Sequence, residues 1–198
     1  MSVDAKTVMK LRAKTGVGMM ACKKALLSCK GDMEKAIDYL REKGMSSAAK
    51  KADRSTKEGR IYSYIHANGK IGVLIEVNCE TDFVANTDDF KNLCKDISMH
   101  IAATNPLAIR REDMDQLLLE KERKIFRNKA LNDGKPEAII DKIVEGQINK
   151  FIQQNTLLEQ EFVKDTDRKV GDVITDTITK FGENIQVARF IRYYLGGE

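Results

Sequence analysis

The sequence predicts an α+β protein in which a three-helix module and a linker precede a small antiparallel sheet of about three strands covered by helices. Residues 1–44 contain three segments with helical spacing of apolar residues, separated by glycine-containing turns. Residues 60–78 and 185–195 are instead rich in β-branched and aromatic residues, as strands are. The charged segment at 113–153 has helical spacing around a central turn, which indicates a helical hairpin.

The three N-terminal helices are expected over residues 4–14, 19–29 and 32–44. A glycine follows the first two helices, where the left-handed backbone that often ends a helix is easily adopted. Asp32 is a suitable N-cap for the third helix, and Gly44 marks its predicted end. Residues 1–44 are therefore interpreted as a compact module, whose small core would be marginally stable alone.

Two adjacent methionines begin the second helix. Neighbouring helical positions cannot both face one core, so at least one of Met19 and Met20 is expected to be exposed, although methionine most often fills gaps in a core. An exposed methionine beside Arg12 and Lys23 would form an apolar spot surrounded by positive charge. Such a spot suits the docking of another protein.

Residues 45–59 are small, polar and basic, and predict a linker before a domain at 60–198. That domain begins with a hairpin, since Asn68-Gly69 separates two runs of strand-forming residues. Pro136 is expected to start the second helix of the hairpin at 113–153. A short extended piece at 160–163, a helix at 170–181 and a third strand at 185–195 complete the domain.

Thr81-Asp82-Phe83 lies where the second strand gives way to a helix beginning near Phe90. A carboxylate beside an aromatic ring at such a junction has two interpretations. Either Asp82 starts the helix and Phe83 packs inward, or the two project as a wedge that enters a partner. Spacing alone favours inward packing.

The composition and the missing motifs argue against a membrane protein, a zinc protein and an enzyme. The chain has 198 residues, of which 42% are hydrophobic and 32% charged, and it lacks an apolar run of the ~20 residues that a membrane helix needs. The four cysteines have no CxxC spacing and only two histidines accompany them, so we expect reduced cytoplasmic thiols rather than a zinc site. Phosphate-binding, hydrolase and metalloprotease motifs are all missing, which indicates a non-enzyme without a cofactor or a metal.

Positive charge is concentrated in the N-terminal part. Residues 1–60 contain 15 Lys or Arg and 7 Asp or Glu, against 19 and 23 in the remainder. A basic segment suits an acidic protein partner or nucleic acid. Tyr39 is the one aromatic residue among residues 1–60, so a surface for stacking bases is missing there. A nucleic-acid-binding module is thus the alternative function.

Two stretches resemble the two signatures of bacterial elongation factor Ts. They are Leu11-Arg-Ala-Lys-Thr-Gly-Val-Gly-Met-Met-Ala-Cys-Lys-Lys-Ala-Leu26 and Glu76-Val-Asn-Cys-Glu-Thr-Asp-Phe-Val-Ala-Asn86. The likeness continues at 99–106, 134–146 and 182–185, and so covers essentially the whole chain. Members of this family are guanine-nucleotide exchange factors of elongation factor Tu. The resemblance implies that activity for this chain, together with a UBA-like N-terminal module.

The resemblance also implies which residues bind the partner: Arg12, Met19, Met20, Lys23, Thr81, Asp82, Phe83, Val84, His100 and Gly182. The N-terminal members of this set would dock on the G domain of elongation factor Tu. Asp82 and Phe83 would enter between two helices of that domain, near its magnesium and phosphates, so the resemblance favours a projecting Phe83. His100 and Gly182 match further partner contacts of the family.

Many members of the family carry a duplicated sheet subdomain, whereas this chain has length for one copy. The resemblance therefore implies a short form in which two chains associate through their sheets, with one elongation factor Tu on each side.

Overall fold

The computed structural model describes residues 3–197, and over this range it contains eight α-helices and five β-strands. The helices are α1 (Ala5–Thr15), α2 (Met19–Ser28), α3 (Met33–Ala49), α4 (Asp82–Ala85), α5 (Asp88–Thr104), α6 (Gln116–Asn132), α7 (Glu137–Asn155) and α8 (Val170–Phe181). The strands are β1 (Glu58–Ile65), β2 (Ile71–Cys79), β3 (Glu161–Phe162), β4 (Asp165–Lys169) and β5 (Gln186–Tyr194). The predicted α+β class is confirmed. Within residues 3–197, no helix has the length and apolar character needed to span a membrane.

The first three helices enclose one apolar core, as the periodic spacing predicts. Its buried members come from all three helices and the turn after α1: Val8, Leu11, Val17, Cys22, Ala25, Leu26, Ala36 and Leu40. Asp32 is the N-cap of α3, since its Oδ1 accepts the backbone N–H of Lys35 at 3.1 Å.

The third helix continues past its predicted end. Gly44 is buried inside α3, and a β-carbon there would lie 2.8 Å from Oγ1 of Thr179 on α8. The glycine permits close packing and does not end the helix, so the predicted stop at Gly44 is wrong. Only residues 50–57 separate α3 from β1.

The main sheet has the strand order β1-β2-β5. Its first two strands are the predicted hairpin, and the strand expected over 185–195 pairs beside β2. On β2, Val73, Ile75 and Val77 are buried while Leu74 is exposed. This alternation shows that one face of the sheet is covered and the other is open.

The helical hairpin predicted at 113–153 is formed by α6 and α7, and α7 is entered through Pro136 as expected. The two helices share a buried core with the segment that precedes them: Ala108, Met114, Leu119, Ala130, Ile140, Val144, Ile148 and Ile152. Ile139, which the spacing placed on the buried stripe, is 44% exposed.

A second, two-stranded sheet pairs β3 with β4. The extended piece expected at 160–163 contains β3. Strand β4 was not predicted, because Asp-Thr-Asp-Arg-Lys has no alternation of apolar and polar residues.

Contacts divide the chain into two compact units. One comprises the residues up to Ser63, Leu74–Asp96 and Asp172–Phe190, and the other comprises Tyr64–Val73, Ile97–Gly171 and the residues from Ile191 onward. The N-terminal helices and α4 belong to the first unit, and the helical hairpin belongs to the second. The division into a module at 1–44, a linker at 45–59 and a domain at 60–198 stays a prediction.

Candidate functional site

An exposed aromatic ring follows directly after the central strand of the main sheet. Phe83 lies on α4, a helix of four residues, and is 82% exposed, with exposed Asp82 before it. Val84 and Ala85 on the same helix are buried and anchor it. Inward packing of Phe83, which spacing alone favoured, is therefore wrong. The reason is that α4 is separate from α5, whose Phe90 is the buried ring.

The start of α4 is held by side-chain hydrogen bonds. Thr81 is its N-cap, and the hydroxyl of Thr81 accepts the backbone N–H of Val84 at 3.4 Å. The same hydroxyl donates to Oε1 of Glu183 at 2.6 Å. Thr81 and Val84, both in the predicted binding set, thus hold the first turn of α4, which carries the exposed Asp82 and Phe83.

The end of α4 is held from β1 and from the turn that follows. Arg60 donates to the carbonyl of Ala85 at 3.4 Å and to Oδ1 of Asn86 at 3.3 Å. The hydroxyl of Thr87 donates to the carbonyl of Val84 at 2.8 Å. With both ends of the short helix bonded, Phe83 projects from a fixed support.

Two buried thiols lie close to this support. Burial raises the pKa of Cys79 to about 11 and that of Cys94 to about 12, so both are neutral at physiological pH. Sγ of Cys79 donates to the carbonyl of Thr81 at 3.1 Å. All four cysteines lie within residues 3–197, and none of them forms a disulfide. These two thiols fill the core and lack the thiolate character of a nucleophile.

The N-terminal docking residues predicted from the sequence are all exposed. Met20 is 77% exposed and Met19 41%, which confirms that at least one methionine faces solvent. Arg12 and Lys23 are also exposed, while Cys22 on the inner face of α2 is buried. Between residues 5 and 31 there are seven lysines or arginines and no aspartate or glutamate. The result is an apolar spot on a strongly basic surface.

His100 does not lie on a surface. Its side chain is fully buried on α5, its Nε2 lies 2.8 Å from Oε1 of Gln160, and its Nδ1 accepts the backbone N–H of Val163 at 3.3 Å. Nδ1 is an acceptor, so the neutral ring carries its hydrogen on Nε2 and donates to Gln160. Burial lowers the pKa of His100, and the bond to Gln160 opposes that shift. A direct partner contact of His100 is inconsistent with this burial.

Gly182 is exposed and directly follows α8. Its φ of +76° lies in the left-handed region that favours glycine, and its N–H donates to the carbonyl of Ile178 at 2.8 Å. This turn brings the next residue, Glu183, to the start of α4. The sequence analysis missed Glu183, because the contact with Thr81 spans 102 residues and leaves no local pattern.

Among residues 3–197, no three or more His, Cys, Asp or Glu side chains gather closely enough to hold a metal ion. Two acidic residues close to α4 are already engaged by other groups of the chain. Glu80 accepts from Arg54 and from the backbone of Asn184, and Asp89 pairs with Lys180 at 2.5 Å.

The chain is similar to one family of known proteins over nearly its whole length. The family model described as Elongation factor TS matches residues 20–197. Three similar proteins, each named Elongation factor Ts, come from Thermoanaerobacter sp. strain X514, Heliobacterium modesticaldum and Geobacter sulfurreducens. The first is 58% identical over 194 residues, covering 98% of this chain and 95% of its own. The second is 57% identical over 194 residues (98% and 90%), and the third 56% over 196 residues (99% and 91%).

Proposed function

The chain belongs to the elongation factor Ts family of translation elongation factors, and we propose that it is a guanine-nucleotide exchange factor that binds elongation factor Tu and promotes release of GDP. It would act in the cytoplasm and make or break no covalent bond. The observation that carries the proposal is the pair Asp82-Phe83, exposed on a short helix whose two ends are held by hydrogen bonds.

An exchange factor works because it binds the nucleotide-free G protein more tightly than the nucleotide-bound one. Coupling of this kind is reciprocal, so whatever weakens GDP binding also lets GDP expel the factor. In this mechanism the Phe83 ring and the Asp82 carboxylate enter between two helices of the G domain near its magnesium and phosphates. Thr81 and the buried Val84 would support the wedge, whereas the exposed Gly182 would be a further contact with the partner.

The magnitudes show how much one ring can contribute. Accelerating release about a thousandfold requires lowering the barrier by about 4 kcal/mol. Burial of one phenylalanine provides about 1.5–3 kcal/mol, and only the part gained as the nucleotide leaves is effective. Asp82 and the loss of magnesium coordination in the partner must supply the rest.

The N-terminal helices provide a second contact in this proposal. Arg12, Met19, Met20 and Lys23 would dock on the G domain of elongation factor Tu. The exposure of both methionines and the absence of carboxylates between residues 5 and 31 support an acidic, partly apolar counterpart. Because the N-terminal helices and α4 belong to the same compact unit, docking of these helices would also bring Asp82 and Phe83 to the G domain.

A homodimer is also part of the proposal. The open face of the main sheet exposes Ile61 on β1 and Leu74 on β2, at 64% and 45%. Large apolar side chains on neighbouring strands suit burial against a second copy of the sheet. Light scattering after size exclusion should give twice the mass of one chain, and elution as a monomer would count against the dimer.

The exchange activity is tested by the release of the fluorescent nucleotide mant-GDP from elongation factor Tu. The purified chain should accelerate release in a concentration-dependent and saturable way. A folded protein that leaves the release rate unchanged would refute the proposal. Salt-dependent RNA binding in place of exchange would favour the nucleic-acid alternative.

A further inference from the structure

We propose that Glu183 is a positioning residue for Phe83: its carboxylate fixes the backbone from which α4 begins, and so sets the direction in which the ring projects. The inference rests on the proposed exchange function and names a residue that acts through the wedge without touching the partner.

Both oxygens of the Glu183 carboxylate are directed at the entrance of α4. Oε2 accepts the backbone N–H groups of Glu80 and Thr81 at 3.1 and 3.0 Å. Oε1 accepts the Thr81 hydroxyl at 2.6 Å. Hydrogen bonds to an ionised acceptor are stronger than neutral ones. Three of them on two consecutive residues leave this turn little freedom to pivot.

The contact is reciprocal. Oε1 of Glu80 accepts the backbone N–H of Asn184 at 2.6 Å and the guanidinium of Arg54 at 3.3 Å. Each of the two glutamates therefore binds the backbone beside the other. Two chain segments more than a hundred residues apart are clasped together at the point where α4 starts.

The clasp also includes the segment that leaves α3. The side-chain amide of Asn184, which is 4% exposed, donates to the carbonyls of Ala52 and Arg54 at 3.1 and 3.0 Å. Residues 52–54 lie in the short segment between α3 and β1. The same network that orients Phe83 thus secures the exit from the module that carries Met20, so both proposed contacts share one support.

Removal of the carboxylate should loosen the wedge and leave the fold in place. Glu80, Thr81 and Glu183 are all partly exposed, so water can replace the lost acceptor. The anchoring side chains Val84 and Ala85 remain buried. The fixed orientation of the Phe83 ring, by contrast, is lost. Small misplacements of a group that must be positioned for a reaction step can slow that step by large factors.

The experiment measures mant-GDP release from elongation factor Tu with Glu183→Ala, Glu183→Gln and the matched control Glu120→Ala, which lies exposed on α6. Glu183→Ala should lower the maximal rate about tenfold and change the half-saturating concentration much less. Glu183→Gln keeps one acceptor oxygen and should recover part of the rate. Rates equal to those of the control would overturn the positioning role.

A double-mutant comparison separates positioning from general destabilisation. If Glu183 acts mainly through the ring, Glu183→Ala should slow release by a clearly smaller factor once Phe83→Ala is present, with a remainder due to Asp82 on the same helix. Equal fold-losses in the two backgrounds would overturn the inference. If the alanine variant fails to fold, the same comparison is made with Glu183→Gln in the two backgrounds.

Hydrogen exchange provides a further test. The Glu80 and Thr81 amides should exchange faster in the Glu183 variants, and unchanged protection would contradict the clasp.

The two proposals fail in different ways. If Phe83→Ala itself leaves release unchanged, the wedge mechanism is wrong. If Phe83→Ala slows release while Glu183→Ala does not, only the positioning role is wrong.

Discussion

Replacement of Phe83 by alanine separates the wedge from the fold. Phe83 is 82% exposed, so less than a fifth of the ring contributes to the stability of the free chain. Full burial of such a side chain provides about 1.5–3 kcal/mol, so the free energy of unfolding should fall by only about 0.5 kcal/mol or less. For a chain of this length the corresponding decrease in Tm is about 2 °C or less.

Exchange should respond far more strongly than stability. The exposed part of the ring is available for burial in the partner and is worth about 1–2.5 kcal/mol, which corresponds to a roughly five- to seventyfold slower release of GDP. Stopped-flow release of mant-GDP from elongation factor Tu measures this rate, and Leu117→Ala, which truncates a 76% exposed residue on α6, is the matched control. If Phe83→Ala promotes GDP release from elongation factor Tu as fast as the wild type does, the assignment of Phe83 as a wedge is refuted. A Tm far below that of the wild type would refute it as well, since it would place the ring in the core.

Three further outcomes are expected. Met20→Glu places a carboxylate in the basic surface facing the partner, so it should weaken binding to elongation factor Tu in calorimetry with little change in Tm; equal binding would return Met20 to a structural role. The pKa of His100 is lowered by burial, so the unfolded chain takes up its proton first and stability should fall as the pH drops below about 6.5. Urea unfolding of the wild type should therefore lose more stability from pH 7 to pH 5 than that of His100→Asn, and equal losses would contradict this. Because Cys79 and Cys94 have raised pKa values of about 11 and 12, they should react with Ellman's reagent at pH 8 only after unfolding. Since the partly exposed Cys29 can react in the native protein, the test uses Cys29→Ser, and rapid labelling of that native variant would contradict burial of the remaining thiols.

Most elements of the fold could be predicted because they depend on local patterns. Apolar spacing located the helices around Leu26 and Ile148, and Asn68-Gly69 located the hairpin. The end of α3 could not be predicted, because Gly44 owes its place to packing against a residue far along the chain. A glycine that permits close contact and a glycine that ends a helix look the same in one sequence.

The candidate site was only partly predictable for the same reason. The resemblance indicated that Asp82 and Phe83 project, and the exposed ring agrees with it. It also assigned His100 to the partner, whereas the structure buries that side chain, which is hydrogen-bonded to Gln160 and to the backbone of Val163. Glu183 escaped notice, since a lone glutamate after a helix indicates nothing until the fold brings it to Thr81.

The long-range hydrogen bonds around α4 determine how much of the binding energy of the exposed Phe83 ring is available for nucleotide exchange. Ordering one flexible residue costs about 1–2 kcal/mol of backbone entropy, and a loose wedge would have to order several residues as it entered the partner. The total ordering cost would equal or exceed the free energy that burial of the Phe83 ring provides, which is about 1.5–3 kcal/mol. With Thr81 bonded to Glu183 and Ala85 to Arg60, the ordering is complete before the partner arrives. The binding energy of Phe83 then remains available to displace the nucleotide, so stiffness of the support is as necessary to the proposed mechanism as exposure of the ring.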